Sequence, residues 1–126
     1  MHRRKAAAAL ATLALTATGL FSVSTGTAQA AALACNDTAR NYVTDEVNSW
    51  PHASVAVTTS NCYDINVRPN AGTKVRTCFF PSSAPSYCNG WRWLNGGVWG
   101  LAATDVKDGT KFYLEFDRYS TGRVSY

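Results

Sequence analysis

Cys35, Cys62, Cys78 and Cys88 are the four cysteines of this 126-residue chain, and they constrain its fold more than any other feature. An even number of cysteines in a short exported domain reads as a disulfide framework, because a small core gains most from cross-links that restrict the unfolded chain. Four cysteines allow three pairings. Cys35 with Cys62 and Cys78 with Cys88 is preferred, since residues 79–87 make a short Pro- and Ser-containing loop whose ends must lie close together. Zinc is the competing use of cysteine, but there is no closely spaced C-x-x-C pair and His52 is the only histidine after His2. No metal and no cofactor is expected.

The export context is read from the N-terminus. Arg3, Arg4 and Lys5 precede an apolar run from Ala6 to Leu20, and Ala28-Gln29-Ala30 places small residues where a signal peptidase cuts. Residues 1–30 are expected to be a secretory signal peptide and residues 31–126 one extracellular domain, a length that encloses a single core. Ala32-Leu33-Ala34-Cys35 has some lipobox character, but the polar stretch from Ser22 to Gln29 separates it from the apolar run, and lipidating Cys35 would leave an odd number of cysteines. Free secretion is preferred. No other stretch approaches the roughly 20 apolar residues that cross a bilayer, so no membrane contact is expected after cleavage.

The formal charge of +4 owes three units to the leader. Nine Lys and Arg against eight Asp and Glu remain beyond residue 30, scattered singly. Nucleic-acid binding needs clustered cations on the folded domain, so a nucleic-acid partner is not expected. The domain is read as a monomer.

Periodicity predicts a mainly β fold. Asp37-Thr38 followed by Ala39, Val43, Val47 and Trp50 suggests one short amphipathic helix closed by Pro51, although Tyr42-Val43-Thr44 also suits a strand. From Ala53 onward the pattern turns to period two. Tyr63, Ile65 and Val67 alternate with polar residues, as do Val75, Thr77 and Phe79, and Pro69-Asn70-Ala71-Gly72 between them predicts a hairpin. Asp108-Gly109 predicts a second hairpin with a type I′ turn, which would pair Leu101 with Phe116 and Ala103 with Leu114 and bury Phe112 on the same face. Arg123 to Tyr126 would add an edge strand. About seven strands in this length point to an antiparallel β-sandwich or small barrel.

Two segments suggest binding. Trp91, Trp93 and Trp99 crowd around the turn at Asn95-Gly96-Gly97, and the register of that turn decides where they face. A three-residue loop sets Trp93 against Trp99 and Trp91 against Leu101 in the core, which a small domain short of apolar area favours. A two-residue loop turns Trp91 and Trp93 to the other face and makes an exposed aromatic strip, with Arg92 inward at a cost. An exposed strip, with Tyr113 on a neighbouring polar face, would suit the C–H faces of sugar rings or a protein partner. The second segment is the loop from Phe79 to Tyr87. A constrained loop carrying Phe80, Pro81, Ser82, Pro85 and Tyr87 could enter the cleft of a hydrolase as an inhibitor, with the Cys78–Cys88 bridge lowering the ordering cost.

Catalysis is the weakest reading. His52, Glu115 and Arg118 could in principle form a base, acid and cation set, but no spacing requires it, and no serine carries a nucleophile motif. Asp105, Asp108, Glu115 and Asp117 are candidates for a glycosidase pair, with Asp108 already explained by its turn. Asp105 to Gly109 lacks the ligand spacing of a calcium loop. The expected function is therefore a secreted, non-catalytic module that contacts an extracellular polysaccharide or a secreted or cell-surface protein through Trp91, Trp93 and Tyr113.

The leader, the segment DINVRPNAGTKVRTCFFPSSAPSYCNG from Asp64 and the segment ATDVKDGTKFYLEF from Ala103 resemble small exported proteins of high-GC actinobacteria. That resemblance implies export and a disulfide-bearing β domain. It assigns no catalytic or binding residue.

Overall fold

In a computed structural model, residues 35–126 are described; the expected signal peptide lies outside the described residues. After a helical turn at 35–37, the chain forms ten strands: β1 (Arg40–Val43), β2 (Ser49–Trp50), β3 (Ala56–Val57), β4 (Ile65–Pro69), β5 (Thr73–Phe79), β6 (Tyr87–Cys88), β7 (Arg92–Leu94), β8 (Gly100–Ala103), β9 (Lys111–Phe116) and β10 (Thr121–Ser125). Four make one antiparallel sheet in the order β1-β10-β4-β8. Six make the other, in the order β2-β9-β5-β6, with β3 also paired to β9 and β7 to β5. The two layers face each other as a sandwich. Both bridges form as expected, Cys35–Cys62 and Cys78–Cys88. No helix among the described residues is long and apolar enough to cross a membrane.

Alternation builds the core. Ile65, Val67 and Val124 from the four-stranded sheet and Val75, Thr77, Phe112, Leu114 and Phe116 from the six-stranded sheet are all buried. Burying each large apolar side chain contributes about 1.5–3 kcal/mol. Tyr42 joins the layers: its ring stacks on Phe116 at 5.1 Å between centroids, and its hydroxyl shares a 2.8 Å hydrogen bond with Ser120. Burial pushes the Tyr42 hydroxyl above the ordinary tyrosine pKa, so it stays protonated within that bond.

The helix expected from Asp37 to Trp50 is absent. Pairing Arg40–Val43 with β10 buries Tyr42, whereas Val43 and Val47, which a helical stripe would have turned inward, are exposed. Asp45 then reverses the chain, its Oδ1 accepting from the backbone N–H groups of Val47 and Ser49.

Both expected hairpins also give way to crossings between layers. β4 and β5 lie in different sheets, so Ile65 and Val67 face Val75 and Thr77 across the core rather than alongside them, and Tyr63 is exposed. β8 and β9 are likewise separated: β8 pairs with β4, and β9 with β5. Gly109 has a positive φ of 79°, but Asp108 does not; Asp105, at 51°, takes the left-handed position instead. The segment after Asp105 is held by Thr58, whose hydroxyl donates to the Lys107 carbonyl and accepts from the Thr110 N–H. Phe112, Leu114 and Phe116 are buried as expected, but Leu101 is exposed and Ala102 buried beside Ala103. The C-terminal strand is no edge. β10 lies between β1 and β4, because both neighbours cover its two sides.

Candidate functional site

The residues expected to bind meet on the outward face of the six-stranded sheet. Inward Val75 and Thr77 leave Lys74, Arg76 and Cys78 facing out on β5. Register sets Glu115 opposite Arg76 and Tyr113 opposite Cys78 on one side, and Trp93 opposite Lys74 on the other. Trp91 precedes β7 by one residue, two positions from Trp93, and so shares its face. Trp91 and Trp93 are 45% and 54% exposed.

Neither turn register expected for Asn95-Gly96-Gly97 occurs. β7 pairs with β5, so the tryptophans are oriented by Val75↔Arg92 and Thr73↔Leu94 and not by β8. Leu94 is the buried residue of that strand, which corrects the reading of Trp91 and Trp93 as core. Arg92 is exposed rather than buried, its guanidinium reaching toward the Leu101 carbonyl, so the expected cost of an inward Arg92 does not arise.

Each tryptophan is held by a separate set of contacts. The Arg76 guanidinium lies 4.8 Å from the Trp91 ring centroid, within cation–π range. It is bonded in turn to Glu115 at 2.6 Å, and the other oxygen of Glu115 accepts from the Tyr113 hydroxyl at 2.9 Å. That hydrogen bond, with some burial, raises the pKa of Tyr113 above the ordinary tyrosine value. Trp91, Arg76, Glu115 and Tyr113 thus form one continuous row across three strands.

Trp93 is fixed differently. Its indole N–H donates to Asn95 Oδ1 at 3.0 Å, and its six-membered ring lies over Gly72, where a Cβ would sit 2.6 Å from the ring. A side chain at position 72 would displace the ring from this resting place. The Arg118 guanidinium stands 5.7 Å from the Trp93 ring and pairs with Asp117 at 2.9 Å. Asp117 also accepts from the Thr73 hydroxyl and the Lys74 N–H. The Arg118 hydrogen bond and these two further donors hold the Asp117 carboxyl well below the usual carboxylate range.

The second candidate segment lies elsewhere. Pro81 is half-buried, while Ser82 to Cys88 are exposed, and the loop is joined at its base by the Cys78–Cys88 bridge and by a Phe80 N–H bond to the Lys111 carbonyl. Phe80, Pro81, Ser82 and Tyr87 line one wall of a cleft of about 750 Å³ whose other wall is the segment 103–111. Pro85 does not line it. Phe80 also packs against Tyr113, with ring centroids 5.6 Å apart, so the loop adjoins the aromatic row.

The catalytic set considered from the sequence does not assemble. His52 Nε2 bonds the Val43 carbonyl, Glu115 is taken by Arg76 and Tyr113, and Arg118 by Asp117. Sulfurs of Cys78 and Cys88 and a carboxylate oxygen of Glu115 come close together, but the sulfurs are joined to each other and offer no thiolate. Sequence reasoning missed Gly72 and Arg76 as parts of the surface. Their outward alternation was visible; the neighbouring strand was not.

No family model, curated protein or solved structure matches this chain.

Proposed function

We propose that the folded domain is a non-catalytic binding module, acting outside the cell, which holds a polysaccharide on the outward face of the six-stranded sheet through Trp91, Trp93 and Tyr113. The observation that carries this reading is the exposure of both tryptophans on one face while each is held by its own neighbours, Arg76 for Trp91 and Gly72 with Asn95 for Trp93. Aromatic rings fixed before a ligand arrives lose little freedom on binding, which lowers the cost of association. They offer apolar faces for the C–H surface of a sugar, and Arg76, Glu115 and the Tyr113 hydroxyl supply polar groups beside them. Two disulfides accord with an oxidising compartment, which supports an extracellular site of action.

Indole N–H resonances of a ¹⁵N-labelled sample test it. Soluble oligosaccharides should shift the signals of Trp91 and Trp93 and leave those of the half-buried Trp50 and Trp99 in place. Shifts confined to Trp50 and Trp99, or none with any oligosaccharide, would refute the reading.

The loop from Phe80 to Tyr87 supports a second reading, inhibition of a secreted hydrolase, because it is exposed and tethered by a bridge spanning 10 residues. Replacing Pro81 to Pro85 by a Gly-Ser linker should then abolish inhibition while leaving polysaccharide contact intact.

A further inference from the structure

The charges around the tryptophans are arranged in closed pairs. Among the described residues there are two salt bridges, Arg76–Glu115 and Arg118–Asp117, and both adjoin a tryptophan of this surface. Each guanidinium therefore has its carboxylate already in place and its remaining surface turned toward an indole. Lys74, opposite Trp93, and Lys111, two positions before Tyr113 on β9, are the cations of this face outside those pairs. An anionic polymer would have to draw Arg76 or Arg118 away from a bonded carboxylate, or rely on Lys74 and Lys111, which stand on different strands, with Glu115 and Asp117 repelling it at close range. An uncharged polymer meets no such opposition. Its hydroxyls can donate to carboxylate oxygens and accept from guanidinium N–H groups without separating either pair, since both groups keep unused hydrogen-bonding positions.

Spacing adds to the argument. Residues two apart on an extended strand lie about 6.6 Å from each other, which places Trp91 and Trp93 as neighbouring rests along β7. Two strand spacings, about 9.6 Å, separate β7 from β9, so Tyr113 lies across the sheet from the tryptophan pair with the Arg76–Glu115 bridge between them. Apolar rings flank a neutral polar centre. Such a surface fits a ligand alternating apolar ring faces with hydroxyls and carrying no net charge.

Building on the polysaccharide reading, we infer that this surface selects an uncharged polysaccharide, of the neutral hexose or N-acetylhexosamine class, over uronate or sulfated polymers. The test compares retention of the disulfide-intact domain on microcrystalline cellulose and on chitin with retention on immobilised polygalacturonate, between about 0.05 M and about 0.5 M sodium chloride, a range over which exposed charge contacts become strongly screened. Retention on cellulose or chitin should change less than about twofold across that range and be untouched by Lys74→Ala/Lys111→Ala; Trp93→Ala should lower it at least about tenfold, or about 1.4 kcal/mol. Retention on polygalacturonate alone, falling steeply with salt and lost in Lys74→Ala/Lys111→Ala, would overturn the neutral class while leaving the aromatic surface as the binding site. Retention that survives the double variant Trp91→Ala/Trp93→Ala, or no retention on any of the three, would overturn the polysaccharide reading with it. The salt series on the unaltered protein is independent of whether any variant folds.

Discussion

The two sheets of the sandwich each turn one face outward, and both faces carry arginines and adjoin a disulfide, yet the arginines are used differently. On the four-stranded sheet Arg68 and Arg123 pair in register, and each ends on a backbone carbonyl of a neighbouring loop, Arg68 on Gly97 and Arg123 on Ala39. The Cys35 sulfur lies beside Ser125 and Asn66 of the same face. Those contacts tie segments down. On the six-stranded sheet Arg76 and Arg118 end instead on carboxylates and lie against indole rings. A guanidinium committed to a carbonyl holds a loop, whereas one shared between a carboxylate and a ring presents a flat, neutral, half-apolar surface. The difference sets a face that ties loops down against the face proposed to bind.

The comparison can be broken at the bridges, where the largest effects are expected. Cys35–Cys62 closes 27 residues and Cys78–Cys88 closes 10, so loop-closure entropy gives about 3.5 kcal/mol lost on replacing the first pair with alanine and about 2.7 kcal/mol for the second. Urea unfolding measures both. An equal or reversed order would mean that the bridge on the binding face contributes native contacts beyond closing its loop.

Gly122→Ala should follow, at about 1–3 kcal/mol, because a Cβ there would fall 2.8 Å from Pro69 Cα, 2.9 Å from the Tyr42 ring and inside contact distance of the Arg68 carbonyl oxygen. Its crowding falls on the backbone of the scaffold sheet, so unfolding midpoints should drop. Gly72→Ala sharpens the contrast. The nearest atoms to the new methyl all belong to the Trp93 ring, a side chain that can swing away, so stability should change by less than about 1 kcal/mol while polysaccharide retention falls several-fold. If Gly72→Ala unfolds the domain as readily as Gly122→Ala, the two faces do not differ in the way described.

The smallest effect is expected in acid. The native Asp117 carboxyl is held below the usual range, chiefly by Arg118, so its stabilising contribution is complete above about pH 4 and is lost as the pH falls through its depressed native value. Asp117→Asn should therefore lower stability slightly at neutral pH and flatten the acid limb of the unfolding profile. An acid limb unchanged by Asp117→Asn would remove this carboxylate from the account. Stability of Arg68→Ala and Arg123→Ala at the same pH values provides the scaffold-side control.

Much of the core was legible because alternation is local. Phe112-Leu114-Phe116 and Val75-Thr77 declare their buried faces residue by residue, and both disulfides followed from cysteine number and the short loop between Cys78 and Cys88. Strand partners were not legible in the same way. Asp108-Gly109 and Pro69-Gly72 carry turn chemistry, but a turn that joins two sheets uses much the same residues as one that joins two neighbours in a sheet. The helix read from Asp37 to Trp50 failed for a related reason: Tyr42 finds its burial against Phe116, a partner 74 positions away that no local spacing reveals. Trp91, Trp93 and Tyr113, singled out from the sequence, lie on one outward face, yet the register argument for them was misplaced, since β5 rather than β8 orients the tryptophans. Arg76 became part of the site only when β5 was placed between Trp91 and Glu115.

The central claim is that Trp91 and Trp93 form an exposed surface which a polysaccharide covers. Iodide quenching of tryptophan emission, with and without a neutral oligosaccharide, tests it most directly. A readily quenched component that disappears in Trp91→Phe/Trp93→Phe, and that the oligosaccharide protects in the unaltered protein, is the predicted result. Emission that iodide quenches equally with and without every oligosaccharide, or a quenched component that persists in the double variant, would contradict it.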